Sequence, residues 1–199
     1  AHVQYTPPLP PVDEVWTVNK GFRTVKADLV FIMDDLIEEA RKSPRYGDDI
    51  AHCNIPVITS TVDSMVSERF PKALKYPLDD VLRFWGTHIH MLRAEKPPET
   101  AEAALDYGLN ECAYWNNSIP YMLAYAGAVL PELHTICLFG CDYTFPGSAA
   151  REDDRANAEY WIAACQFGLG MGFTYPHRTT ILNRDKGRQF YGFNGRQPY

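Results

Sequence analysis

The sequence predicts an α/β fold with a mostly parallel, open sheet and helices on both faces. Three observations lead there. Short β-branched and apolar runs alternate with helix-like stretches, the pattern of parallel strands joined by crossovers. One run, Asp28–Met33 (DLVFIM), is nearly all apolar, as strands buried on both faces are. Polar residues stand just after the runs, at Asn19, Asp34, Asp35, Thr59, Asp142 and Tyr143. Open α/β sheets bind ligands outside the carboxyl ends of their strands.

The elements follow in order. Val15–Val18 is a β-branched and aromatic strand that ends at Asn19. Asp28–Met33 is the second strand. The connection between them is too short for a full helical crossover. Asp34 and Asp35 then cap a helix over LIEEARKS, since Asp accepts from the free N–H groups of a first turn. Pro44 and Gly47 are expected to end that helix. Ile55–Thr59 (IPVIT) is a third strand. Residues 60–97 mix charge, proline and aromatics, and no element is assigned to them. Pro98–Tyr107 reads as a short helix with Gly108 at its C′ position. Ile119–Leu130 is a longer helix with Pro120 in its first turn. Thr135–Phe139 is a strand stopped by Gly140. Asp153–Phe167 is a helix with acids at its start and Gly168 and Gly170 after it. Phe173–Pro176 is a last short strand.

The chain has 199 residues, 46% of them hydrophobic and 13% aromatic, which is enough for one globular domain spanning 1–199. Residues 60–115 would form a lid, an acceptor platform or an interface, and a homo-oligomer is compatible with any of these. The net charge of −6 gives no general attraction to nucleic acid or to anionic membranes. No run reaches the roughly 18 apolar residues of a membrane span. The five cysteines form no C-x-x-C pair, which points to free thiols, a reducing cytoplasmic setting and no structural zinc.

Several residues carry possible chemistry. Asn116, Asn117 and Ser118 precede a helix, so they either cap it or hold a phosphate or ribose at its positive end. Asp34 and Asp35 are either caps or ligands of a ribose hydroxyl or a metal ion. Asp142, in GCDYTF, has no strong helix start after it, so it either orients the Tyr143–Pro146 loop or helps hold the ligand. His177, in YPHRTT, follows the last strand and suits a general base, or is a surface histidine. His88 and His90 would point the same way on a strand and form two arms of a metal site, but no third ligand has a matching spacing. The tail at 183–199 interleaves Arg184, Lys186, Arg188 and Arg196 with Phe190, Tyr191, Phe193 and Tyr199. That pattern binds single-stranded nucleic acid by charge and stacking, or docks on protein.

Three segments, DEVWTVNKGF, ADLVFIMDD and NNSIPYMLAYAGAVLPELHTICLFGCDYTF, together resemble a known group. It is the Rossmann-like superfamily of the bacterial sialyltransferases and the archaeal 6-hydroxymethylpterin diphosphokinase-like proteins. The resemblance covers roughly residues 12–35 and 116–146. It implies a Rossmann-like nucleotide-binding domain in which Asn19, Asn117 and Ser118 contact the nucleotide's sugar and phosphate. Asp34, Asp142 and Tyr143 would lie beside the ligand, and Thr144–Arg155 would match the sialyltransferase lid. Two departures stand out. The relatives begin with a strand and a G-x-G-P-S type turn, which implies a further segment upstream of Ala1. Their lid also carries a histidine base, and TFPGSAAREDDRAN has none, so Asp142, His177 or Asp34 would act as base.

The expected function is a nucleotide-dependent transferase, first a glycosyltransferase using a nucleotide sugar. The acceptor would be a carbohydrate, a lipid-linked sugar or a modified nucleic acid base. The alternatives are ATP-dependent diphosphoryl transfer with magnesium on Asp34, Asp35 and Asp142, and a non-catalytic nucleotide-binding or assembly protein. No cofactor is implied beyond the nucleotide and, in the second reading, magnesium.

Overall fold

A computed structural model describes residues 12–93, 95–112, 114–130, 132, 134–141, 149–175 and 181. The chain forms two compact units, 1–76 and 77–199.

The first unit holds a four-stranded, wholly parallel sheet: β1 (Trp16–Val18), β2 (Leu29–Phe31), β3 (Val57–Thr59) and β4 (Ala73–Lys75), in the spatial order β1-β2-β3-β4. The register pairs Val18 with Phe31, Phe31 with Ile58, and Ile58 with Leu74. Val30, Phe31 and Ile32 are fully buried, and Val57 and Ile58 nearly so. Successive strand side chains point to opposite faces, so both faces of the central strands are covered. The parallel sheet predicted from the apolar runs is therefore present in this unit.

The connection from β1 to β2 has no α-helix. It is a 3₁₀ turn, Asn19–Arg23, whose steeper rise per residue returns the chain over a short span. Helix α1 (Leu36–Lys42) starts as expected, and it stops at Ser43. Pro44 ends it, since the residue before a proline is pushed out of the helical region and Ser43 has φ of −141° and ψ of 88°. Pro44 opens a second helix, α2 (Pro44–His52), where a missing N–H costs nothing and the fixed φ suits a first turn. Gly47 lies inside α2 rather than beyond a helix end. A Cβ there would stand 2.5 Å from the Ala40 Cβ, so the glycine lets α1 and α2 approach closely. Helix α3 (Ser64–Arg69) is capped by Asp63, whose Oδ1 accepts from the Val66 N–H at 2.9 Å. Strand β4 has two exposed residues of three and no apolar alternation, so it left no sequence signal.

The core of this unit joins Val30, Ile32, Leu36, Ala40, Tyr46, Ile50, Val57, Val66 and Phe70. Each large side chain buried here stabilises by about 1.5–3 kcal/mol. Tyr46 stacks with Phe22 at 6.2 Å, and the Lys20 ammonium and Arg23 guanidinium lie 5.2 and 5.0 Å from its ring centre.

The second unit is mainly helical: α4 (Leu78–Leu92), α5 (Ala101–Glu111), α6 (Ser118–Val129) and α7 (Ala149–Ala163), which runs into a π-helical turn, Ala164–Gly168. Strands β5 (Thr135–Cys137) and β6 (Gly172–Thr174) form a parallel pair. Residues 87–90 lie in α4, not on a strand. At 100° per residue His88 and His90 therefore do not point the same way. The His88 ring stacks on Phe84 at 3.9 Å, with Nδ1 2.9 Å from the Phe84 carbonyl. His90 lies on Tyr107.

Helix α5 does not end at Gly108. It continues to Glu111 because Gly108 serves a crossing. A Cβ on Gly108 would lie 2.3 Å from the Leu82 carbonyl oxygen, and one on Gly86 2.0 Å from that of Ala104. Each helix offers the other a glycine, and α4 and α5 meet backbone to backbone. Trp85 and Trp161 are fully buried in edge contact at 5.1 Å. Their indole N–H groups donate to the carbonyls of Ala124 and Tyr114, each at 2.9 Å.

Replacing Gly86 with Ala must push the two backbones apart. The expected loss is about 1–3 kcal/mol of unfolding free energy, read from denaturant melts. Wild-type stability in Gly86→Ala would contradict the crossing.

Candidate functional site

The carboxyl edge of the four-stranded sheet collects Asn19, Asp34 and Thr59. Asn19 follows β1 directly with φ of 50°, a left-handed conformation that asparagine tolerates better than most residues. The two aspartates after β2 have separate roles. Asp35 is the cap: its Oδ1 accepts from the N–H groups of Ile37 at 2.8 Å and Glu38 at 3.0 Å. Asp34 is exposed, and its carboxylate has no hydrogen bond or ion pair among the described residues. Its backbone is steadied by Thr59, the fully buried last residue of β3, whose Oγ1 donates weakly to the Asp34 carbonyl at 3.4 Å. The nearby Lys42 ammonium has its pKa raised mainly by a hydrogen bond to Glu39, and Asp34 is its smallest electrostatic contributor. The edge thus presents an unspent carboxylate on a fixed backbone.

Asn117 and Ser118 belong to the second unit. Asn117 caps α6, its Oδ1 accepting from the Ile119 N–H at 3.0 Å, while its Nδ2 donates to the Asp154 carbonyl at 3.3 Å. Its carboxamide thereby ties the start of α6 to α7. Ser118 is buried as the first helical residue. Pro120 brings no N–H, and that of Ile119 is taken.

Asp142, Tyr143 and His177 lie outside the described residues. So do Thr144–Ser148 of the expected lid and the tail at 183–199. The rest of the lid segment, Ala149–Arg155, forms the first turns of α7.

Sequence reasoning missed a depression of about 410 Å³ on the first unit, lined by Phe22, Arg23, Asp49, His52, Cys53, Asn54 and Ile55. Arg23 and Asp49 form an ion pair there. The His52 Nδ1 lies 2.7 Å from the Asp48 carbonyl, and the Cys53 thiol donates to that of Ile50 at 3.0 Å. The run DDIAHCN carries most of these polar groups, but in sequence it falls between the expected helix end at Gly47 and the strand at Ile55 and carries no motif.

All five cysteines are free. Burial pushes the thiols of Cys112 and Cys165 up to about 12, which makes them poor nucleophiles. Burial also raises the Tyr46 phenol, followed by the charge of Glu39. Among the described residues no three His, Cys, Asp or Glu side chains converge as a metal site, and no helix is long and apolar enough to cross a membrane.

Comparison with protein-family models, with curated proteins and with solved structures finds no match for this chain.

The division of labour at residues 34 and 35 is measurable. Asp35→Ala should cost about 0.5–2 kcal/mol of stability, whereas Asp34→Ala should stay within about 0.5 kcal/mol of wild type. Equal losses in both variants would remove the distinction.

The buried thiols set an alkaline limit. Unfolded, Cys112 and Cys165 lose their protons near the ordinary 9.0, and folded they keep them until about 12. Their contribution to stability is complete below pH 9 and lost as pH rises from 9 toward 12. Cys112→Ala/Cys165→Ala should fall less steeply across that window in denaturant melts. A slope equal to wild type would refute the assignment.

Proposed function

We propose that the chain is a Rossmann-like, nucleotide-dependent transferase that binds its nucleotide at the carboxyl edge of the four-stranded sheet and most closely fits a glycosyltransferase using a nucleotide sugar. The observation that carries this reading is the exposed Asp34 carboxylate, without a hydrogen bond or ion pair among the described residues, on a parallel-sheet edge beside the left-handed Asn19. Parallel sheets direct their strand carboxyl ends, and the loops that follow them, to one edge. A carboxylate there accepts from sugar hydroxyls, and an asparagine amide both donates and accepts.

Glycosyl transfer needs a held nucleotide leaving group and a base for the acceptor hydroxyl. In this reading Asn19 and Asp34 hold the nucleotide on the edge of the first unit, and Asp34 is the base candidate there. The acceptor is a carbohydrate or a modified nucleic acid base, and the setting is cytoplasmic.

The same unpaired carboxylate supports a second reading. A free Asp at a strand end also suits magnesium, which would orient ATP for diphosphoryl transfer.

A thermal-shift panel separates the two, using CMP, UDP, GDP, ADP, ATP and their sugar conjugates, with and without magnesium. A ligand at about 100 times its Kd stabilises the native state by about 2.7 kcal/mol. The first reading expects a metal-independent shift with one nucleotide and its conjugate, much reduced in Asp34→Asn. A shift with ATP only when magnesium is present would replace it with the second. No shift with any compound would leave a non-catalytic scaffold.

A further inference from the structure

We propose that His90 and Glu95 form a proton-sensitive clasp that closes the connection between α4 and α5. The His90 side chain is mostly buried, and its ring lies on Tyr107 with centres 3.6 Å apart. Its Nδ1 is buried 3.0 Å from the Glu95 Oε2, without the alignment of a directed hydrogen bond, so the contact is chiefly electrostatic. Glu95 Oε2 also accepts from the Tyr107 hydroxyl at 3.3 Å. That hydroxyl accepts from Arg93 at 2.9 Å, and Arg93 pairs with Glu111 at 2.8 Å. The turn itself is closed by the Glu95 N–H donating to the His90 carbonyl at 3.0 Å.

The charges in this cluster do not balance with a neutral ring. Two carboxylates, Glu95 and Glu111, face one guanidinium, Arg93. A proton on His90 supplies the missing positive charge and guarantees an N–H at Nδ1 opposite the carboxylate. From α5, the ionisable groups that join the cluster are Tyr107 and Glu111. Among the described residues of the other elements against α4, α6 and the π-helical turn contain no Asp, Glu, Lys, Arg or His, and α7, which meets α4 through Trp161 and Trp85, carries Asp153, Asp154, Arg155 and Glu159, of which Arg155 and Glu159 pair with each other. Lys96, in the same connection, is paired with Glu99. Imidazole is the side chain that ordinarily changes charge between about pH 5 and 8. The clasp therefore tightens as pH falls through that range and loosens as it rises, freeing the Tyr107 ring. Glu95 is partly exposed, so solvent keeps the effect modest.

The test is amide hydrogen exchange at Glu95 in the full chain, at about pH 5.5 and pH 7.5, with intrinsic exchange rates divided out. Protection in wild type should fall about two- to fivefold from the lower to the higher pH, and 0.5 M salt should shrink the change. Glu95→Gln removes the negative partner, and His90→Phe keeps an aromatic ring but takes no proton. Both should show no change with pH. Constant protection in wild type would overturn the proposal. So would an equal fall in His90→Phe, and so would an equal fall in Glu95→Gln.

Discussion

Parallel pairing of β1, β2, β3 and β4 is the constraint on which the first unit depends. Parallel neighbours cannot be joined by tight turns, so each strand must be followed by a return over the sheet. Those returns are the 3₁₀ turn, the pair α1 and α2, and α3. They cover the sheet, and the central strands are correspondingly buried: Val30, Phe31 and Ile32 are fully buried, and Val57, Ile58 and the polar Thr59 are buried too. The same pairing aligns the carboxyl ends of all four strands. Asn19, Asp34 and Thr59 share an edge because Val18, Phe31 and Ile58 share a register. Thr59 links the packing to the edge, since its hydroxyl is buried with the core and holds the backbone of Asp34.

In the second unit the equivalent role falls to close backbone contact and buried indoles. Gly86 and Gly108 let α4 and α5 touch, and Gly127 leaves room for Trp85, which a Cβ there would meet at 2.5 Å. Trp85 donates to α6 through the Ala124 carbonyl and packs on Trp161 of α7. Asn117 makes a second tie between α6 and α7. A buried indole without an acceptor would cost about 1–3 kcal/mol, so these hydrogen bonds fix which turn of one helix faces which turn of the next.

The elements with strong local signals were legible. The strand in DLVFIM and the helix capped by Asp35 stood out in composition and capping chemistry. So did α6 after Asn117. The errors share a cause. Gly47 and Gly108 are strong punctuation in sequence, yet each was used for something a sequence does not display. Both make space for a neighbour, and Pro44, which ends α1 as expected, also starts α2. The THIH segment alternates like a strand but sits in α4, where its flanking Val81, Leu82, Trp85 and Ile89 repeat at helical spacing. At the candidate site, the polar residues at strand ends could be named from sequence. Which aspartate caps and which is free could not, because the two are adjacent and chemically identical.

By itself the sequence determined that β2 is a buried strand and β3 a strand, that Asp35 or its neighbour starts a helix, and that polar groups gather after the strands. These follow from hydrophobic pattern and local hydrogen bonding, which act within a few residues. Only the tertiary structure decided the strand order, the parallel register, the existence of β4, the role of the glycines and the freedom of Asp34. Each of those depends on groups distant in sequence meeting in space, as when the Thr59 hydroxyl reaches the carbonyl of Asp34, or when the Leu82 carbonyl closes on Gly108.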